Sequence, residues 1–520
     1  MIHLSHNFFD ELPGDPSAVN IPRQVHNACY SWVEPKGMAS PSLIMYSDEL
    51  AKTLGISESF CSTHEFCQIM TGNTLAEGSK PYAMCYGGHQ FGSWAGQLGD
   101  GRAINLGELT NNDEKSFSLQ LKGSGPTPYS RTADGLAVLR SSIREFLCSE
   151  AMYFLGVPTT RALSLCLTGE MVLRDIMYDG NKKYEKGAVV CRVSPSFIRF
   201  GSFEIFASRQ DIVSLTKLAD YTIAHHYPEI TNGEDKYLQF FKEVAEKTCS
   251  MIIHWQRVGF VHGVMNTDNM SILGETIDYG PYGWSDHYDP NWTPNTTDLP
   301  GKRYRFGNQP IIAQWNLLKL ANALFPVIED EQGLKTIIED FRSQYIIGYL
   351  AMMRNKLGFF TAHKDDGILI SSLENLLVAR ETDMTIFFRE LSSVHKNHSV
   401  KEAFEILSPS FYLENENSDD YMTMFKDWTT KYVERLSLEN ISDEEKKISM
   451  HQVNPKYVLR NYMAQIAIEK AEVGDYTLIH ELYEILKKPY ENQPIYEKWY
   501  NKRPDWAREK IGCSMLSCSS

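Results

Sequence analysis

The sequence has no run approaching the roughly 18 apolar residues of a transmembrane helix, no excess of positive charge, no internal repeat and no low-complexity tract. Each absence excludes something. Lys and Arg number 51 against 66 Asp and Glu, a net charge of −15, whereas a general nucleic-acid binder carries a positive stripe that displaces counterions from phosphates. Nucleic acid is therefore not an expected partner, although a local basic pocket stays open. Cysteine is sparse: of ten residues, eight are scattered between Cys29 and Cys249, which reads as buried thiols and not as a disulfide framework. Cys513 and Cys518 stand apart in a small polar tail, GCSMLSCSS. The first residues, MIHLSHNFFDELPGDP, lack both the basic and apolar regions of a secretory signal and the Arg-rich character of a transit peptide. The expectation is a cytoplasmic protein with no membrane partner.

The composition, 42% hydrophobic and 22% charged, is that of an ordinary globular chain. At 520 residues it exceeds what one core usually organises, so two or three subdomains are expected. In the first 80 residues a helix near Ser47 to Leu54 is the only element the pattern places. Strand-like runs follow at Ser116 to Lys122, Arg161 to Leu167, Met171 to Ile176 and Ala188 to Val193, with a turn at Asp179 to Asn181. Between the first two, Leu136 to Leu155 repeats apolar residues at helical spacing, with Ser141 or Ser142 to cap it and Gly156 and Pro158 to stop it. From Gln210 the pattern is helical: Asp211 to His226, Lys236 to Val258, Ile311 to Leu324, Glu331 to Asn355, Leu373 to Leu391 and Lys456 to Lys488, with a surface linker at Glu414 to Asp420. A strand-rich half followed by a helical half predicts an α+β chain of two lobes with its site at the junction.

That junction is the stretch His262 to Gly280, HGVMNTDNMSILGETIDYG. Asn266 to Asn269 and the carboxylate of Asp278 flank a short apolar segment with a turn at Gly274, the pattern of a tight hairpin that brings Asn and Asp to one edge. Such oxygen ligands suit a hard cation on a nucleotide phosphate. The order follows the protein-kinase catalytic loop and metal motif, with His262 and Asn269 in register and Asp278-Tyr279-Gly280 in place of DFG. The proton-accepting Asp of that loop is Val264 here. The chain is equipped to hold metal and nucleotide but not for ordinary kinase chemistry.

Upstream, YGGHQFGSWAGQLGDGRAINLGE packs seven glycines into the span from Tyr86 to Glu108. Closely spaced glycines let backbone amides surround an anion, and Arg102 adds a charge; tight turns between strands are the alternative. A strand ending in Lys122 and a helix carrying Glu145 follow, the order of a kinase small lobe, although a single helix Glu is also at home on a solvated surface. Arg192 and Arg199 bracket an apolar segment in CRVSPSFIRFG. They form either a bidentate phosphate clamp or a pair that stacks on Phe200 and Phe203 or bridges acids.

The blocks YGGHQFGSWAGQLGDGRA, LQLKGSGPTPYSR, ADGLAVLRSSIREFL and HGVMNTDNMSILGETIDYGP resemble the selenoprotein O family over most of the chain. The resemblance implies a protein-kinase-like two-lobed fold, with a strand-rich N-lobe, a helical C-lobe and terminal extensions, divided at residues 1–80, 81–208, 209–410 and 411–520. It also implies transfer of AMP from ATP to Ser, Thr or Tyr hydroxyls of proteins, with ATP inverted so that its γ-phosphate is buried. Carried over, Gly99, Gly101, Arg102, Asp134 and Gly135 would contact nucleotide, and Lys122, held by Glu145, would meet phosphates. Arg192 and Arg199 would clamp the inverted tail, Asn269 and Asp278 would bind Mg²⁺ or Mn²⁺, and Asp268 would be the proton acceptor that Val264 is not. The family's redox-linked tail cysteine corresponds to Cys518. In some bacterial members its partner lies in the loop after DYG, where this chain has no cysteine and has Pro294 at about that place. Pairing of Cys513 with Cys518 and two free exposed thiols both remain open. Two other functions fit part of the pattern. One is a phosphotransferase, since HG followed by Asn resembles the aminoglycoside-kinase loop; the other is a nucleotide-binding pseudokinase scaffold.

Overall fold

The computed structural model describes residues 2–176, 180–231, 233–413 and 418–517. Cys518, and parts of the expected turn at Asp179 to Asn181 and of the expected linker at Glu414 to Asp420, lie outside the described residues. The chain is a mixed α and β structure built on one eight-stranded antiparallel sheet. In chain order the strands are β1 (Tyr30–Trp32), β2 (Ser42–Tyr46), β3 (Tyr82–Met84), β4 (Gly87–Gln90), β5 (Ser93–Gln97), β6 (Ala103–Thr110), β7 (Ser116–Lys122), β8 (Ala137–Val138), β9 (Arg161–Arg174) and β10 (Lys183–Ser194). They are ordered β1-β3-β6-β7-β10-β9-β2, with β8 beside β10, while β4 and β5 pair only with each other.

The period of two in β7 decides what each face of the sheet does. Leu119 and Leu121 point into an apolar cluster with Phe66, Met70, Val189 and Cys191, so the helices Asp48–Thr53 and His64–Thr71 of the first eighty residues cover that face. Ser118, Gln120 and Lys122 take the alternate positions. The register sets Gln120 opposite Arg192 on one side and opposite Asn105 on the other, which collects the polar groups in one row. A larger apolar cluster runs without a break from sheet residues such as Ile104 and Val190 to Phe240 and Leu317 in the helical half.

Several elements differ from the pattern. The helix Leu139–Phe154 begins directly out of β8 with Val138 at its cap; Ser141 donates to the Val138 carbonyl at 3.1 Å and caps nothing. The runs at Arg161 and Met171 form one strand, because β10 pairs with both sides of Gly169. The stretch Leu373 to Leu391 divides into Asp366–Ala379 and Met384–Leu391, the second capped by Asp383. Lys456 to Lys488 divides into Asn461–Glu472 and Thr477–Leu486 near Gly474, whose φ is +90°. The stretch His262 to Gly280 is held by a 3₁₀ turn, Thr267–Asn269, and a single bridge between Met270 and Thr276, where a hairpin was expected. The tail lies along the loop after Asp278: Leu516 donates to the Pro294 carbonyl at 3.1 Å and accepts from the Thr296 amide at 2.8 Å. Cys513 is buried, not exposed, because Asn461 on the helix beneath holds its carbonyl at 2.7 Å.

Candidate functional site

Lys122 ends β7, and Glu145 rises from the second turn of the helix Leu139–Phe154 to meet it at 2.6 Å. Arg192, from β10, reaches Glu145 at 3.2 Å and Asp278 at 2.6 Å with one nitrogen, and donates to Gln120 with another. Arg199, just before the helix Phe200–Ser208, meets the second oxygen of Asp278 at 2.5 Å and the carbonyl of Asp268 at 2.9 Å, with its guanidinium 4.4 Å above the Tyr86 ring. Asn269 donates to the same Asp278 oxygen at 3.2 Å. The two arginines are therefore joined through one carboxylate. They bridge acids, one of the arrangements their spacing left open, and do not stack on Phe200 and Phe203.

The electrostatics follow from this burial. Desolvation would push the Asp278 carboxyl up, but Arg199, Arg192 and Lys122 together hold it well below the carboxylate range. Burial lowers Lys122 to about 8 despite Glu145, with Arg102 and Arg192 adding to the effect. The Nε of Arg192 and Nη2 of Arg199 are buried and have no hydrogen-bond partner among the described residues. Buried donors without partners cost on the order of 1–3 kcal/mol each, and phosphate oxygens would satisfy both. The backbone of Asp278 is left-handed, with φ of +57°, a conformation that Asp tolerates better than most residues and that recurs at functional sites.

Asp268 sits on the 3₁₀ turn, 8% exposed. Gln90 donates to its Oδ2 at 3.2 Å, and Oδ1 is buried without a partner among the described residues. Burial pushes this carboxyl up to about 7, against the pull of Gln90 and Arg199. The β4–β5 hairpin supplies Gln90 and is pinned to the same turn. His89 donates its amide to Thr267 at 2.7 Å, Phe91 donates to Asn266 at 3.1 Å, and the His89 ring meets Glu204 at 2.6 Å. Gly88 is required there, since a Cβ would fall 2.5 Å from Asp268 Oδ1. His262 ties the two ends of the stretch, with Nε2 donating to the Ile277 carbonyl at 2.8 Å and Nδ1 accepting from the Val264 amide at 3.3 Å.

The structure thus brings together Lys122, Glu145, Arg192, Arg199, Asn269 and Asp278, with Asp268 beside them. Gly99 and Gly101 pack on Tyr129, and at Gly99, with φ of +91°, a Cβ would lie 2.4 Å from that ring. They flank Asp100, which accepts from Gln120 at 3.2 Å and so connects the glycine segment to Arg192. Arg102 acts on the cluster through its charge beside Lys122. Asp134 is not brought in: its carboxylate is held by Arg174 at 2.7 and 2.8 Å on an exposed edge. Gly135 is buried against Gly125 in the turn after Lys122. Gln90, Asp100 and Gln120 escaped the sequence reading. The strand period, with Gln120 two residues before Lys122, was a signal for the last of these; the other two depend on long-range packing.

Among the described residues no group of three or more His, Cys, Asp or Glu side chains would hold a metal alone. Mg²⁺ on a nucleotide, however, takes one or two protein oxygens and completes its shell with phosphates and water, a donor set that Asn269 and Asp278 fit.

A sequence profile described as "Protein adenylyltransferase SelO" matches residues 20–487. Relatives named "Protein nucleotidyltransferase YdiU" include one from Flavobacterium johnsoniae, 58% identical over 521 residues, covering 100% of this chain and 99% of the relative. Another, from Aromatoleum aromaticum, is 54% identical, covering 99% of each chain, and a third, from Rhodopirellula baltica, is 51% identical, again covering 99% of each.

Proposed function

The chain belongs to the SelO family of protein adenylyltransferases, and from that premise we propose how its residues move AMP from ATP to a protein hydroxyl. The observation that carries the reading is the buried pair Arg192 and Arg199, joined through Asp278 and each holding an unpartnered nitrogen. Two guanidinium groups at the closed end of a site fit the terminal phosphates of an inverted nucleotide, because pyrophosphate, the leaving group, accumulates its charge there. Lys122, oriented by Glu145, meets the same phosphates, and the segment Gly99 to Arg102 lines the approach. The sequence of glycine segment, strand Lys, helix Glu and Asn–Asp metal pair supports a kinase-like two-lobed arrangement.

The acceptor hydroxyl oxygen attacks the α-phosphorus, forming the new phosphate ester, while the bond to the β-phosphate oxygen breaks and pyrophosphate leaves with the electron pair. Asp268 takes the hydroxyl proton: its unpartnered Oδ1 is the accepting atom, and a carboxyl near neutrality is matched to that task. Gln90 fixes the other oxygen. Mg²⁺ or Mn²⁺, held by Asn269 and Asp278, would supply charge neutralisation on the phosphates. The contact between Asn269 and Asp278 and the clamp on Asp278 keep those oxygens in place before nucleotide arrives.

The test is ATP labelled at the α or the γ position, incubated with the protein, Mg²⁺ or Mn²⁺ and acceptor proteins. Label from the α position alone is expected in protein. Label from the γ position alone would replace this reading with phosphoryl transfer, and binding without label with a scaffold.

A further inference from the structure

The helix Gln309–Ile328 is apolar on two sides. Its inner face, including Ile312, Leu317 and Leu324, is packed into the large core cluster. Its outer face carries Ile311, Trp315, Leu318 and Phe325, which at 100° per residue fall within an arc of about 80° and extend about 21 Å along the axis. Asn322, between the last two, is the one polar residue in that arc. Ile311 is 62% exposed, Leu318 43% and Phe325 44%, and Trp315 is half-buried. A helix that needs only its inner face for folding has no structural reason to repeat apolar residues at i, i+4, i+7 and i+14 outside. Exposed apolar surface gathered in this way marks interaction sites. Among the described residues it is also the one helix long and apolar enough to cross a membrane, and this outward stripe contributes to that property.

The stripe leads to the base. The Trp315 ring packs edge-on against His89 at 5.6 Å, and His89 is adjacent to the Gln90 that holds Asp268. On the same hairpin Phe91 and Trp94 are 40% and 39% exposed. Charge lies beside this contact: Arg303 and Lys319 are 4.5 and 4.7 Å from the Trp315 ring. In an acidic chain, two cations beside the apolar stripe select an acidic group on what docks there.

We propose that this stripe is the docking surface for the protein that receives AMP, and that it takes an amphipathic helical segment whose apolar anchors repeat along one face. An acidic residue of that segment reaches Arg303, which delivers a neighbouring hydroxyl to Asp268. The proposal rests on the transfer reading above. A narrow arc that passes the hairpin of the base fits a helix laid alongside better than a lipid surface, which would wet a wider face.

The test uses the full chain, α-labelled ATP and two synthetic peptides of about 20 residues. One is an amphipathic helix with Leu at its a and d positions, a Glu and a single Ser near one end; the other has each Leu replaced by Gln, which adds no acceptor hydroxyl. The first is expected to show a KM about tenfold lower than the second, about 1.4 kcal/mol of anchoring. In the double variant Leu318→Glu/Phe325→Glu, KM for the first peptide rises to that of the second, while kcat and ATP affinity stay at the parent values. Both positions are exposed and distant in sequence from the nucleotide groups, and retained ATP affinity shows that the variant is folded. Equal KM values in the parent chain, or a variant without effect, overturn the docking proposal alone. No transfer to either peptide overturns the docking proposal; no α-label in acceptor proteins overturns the transfer reading, and the proposal with it. A parent dimer that the variant dissociates in sedimentation overturns it in favour of a second copy on the stripe. Binding of the parent, but not the variant, to phosphatidylcholine and phosphatidylglycerol vesicles overturns it in favour of lipid.

Discussion

At the residue scale the chemistry turns on two carboxylates ten positions apart that burial treats oppositely. Asp278 faces two arginines and a lysine and stays ionised; Asp268 has one amide and one unpartnered oxygen, and burial raises it to about 7. A base must be ionised to accept a proton, so the transfer rate is expected to fall as pH drops below about 7, read from a pH profile of kcat. Gln90 favours the charged form by donating to it. Gln90→Ala therefore moves that acid limb to higher pH, whereas a purely structural loss would lower the rate without moving the limb. Asp268→Asn keeps ATP affinity and lowers transfer by about 10²- to 10⁴-fold, measured with α-labelled ATP. Asp278→Ala abolishes transfer and leaves Arg192 and Arg199 without their shared acid; activity at the parent level would remove the metal assignment.

At the scale of elements, the helix Leu139–Phe154 shows how a functional ion pair is held. Almost every position is buried, and three of its four charged residues are in ion pairs: Arg140 with Glu185 at 3.0 Å, Glu150 with Arg161 at 2.6 Å, and Glu145 with Lys122 and Arg192, while Arg144 donates to the Tyr282 carbonyl and stacks on that ring. Removing one member of a buried pair strands the other, at about 3–5 kcal/mol. Glu145→Gln is accordingly expected to lower the melting temperature and to weaken ATP binding together, followed by thermal unfolding and nucleotide titration. The apolar spacing made this helix legible, as it did the helices Ile212–His226 and Lys236–Val258. Three later helices, Val400–Leu407, Asp419–Leu436 and Asp443–Val453, were passed over, although Ser399 with Glu402 and Ser442 with Glu445 form capping boxes that are readable signals.

At the scale of the whole molecule, the terminal segments brace the site. Tyr483 of the helix Thr477–Leu486 meets Ser47 at 3.0 Å and Asp48 at 2.7 Å, and packs on Phe146, one position after Glu145. Arg460 meets Asp383 at 2.8 Å and Asp286, in the loop after the DYG motif, at 3.0 Å. Arg460→Met would leave buried Asp383 without its ion pair and Asp286 with only Arg503 at 3.7 Å, a cost of about 3–5 kcal/mol, and is expected to lower the melting temperature markedly. A variant that melts with the parent would show that the helix Asn461–Glu472 does not depend on this junction.

Residue order alone determined the family, the strand that ends in Lys122, the helix that carries Glu145, and the Asn269 and Asp278 pair, because these depend on local periodicity and short spacings. Tertiary structure decided what long-range packing controls. It joined Arg192 and Arg199, separated by seven positions, through one carboxylate, where their spacing left a phosphate clamp, ring stacking and bridged acids all open. It sent Asp134 to Arg174, and it laid the glycine-rich hairpin over Asp268. An isolated side chain has many charged and aromatic neighbours available along the chain; only the folded sheet and its register choose among them.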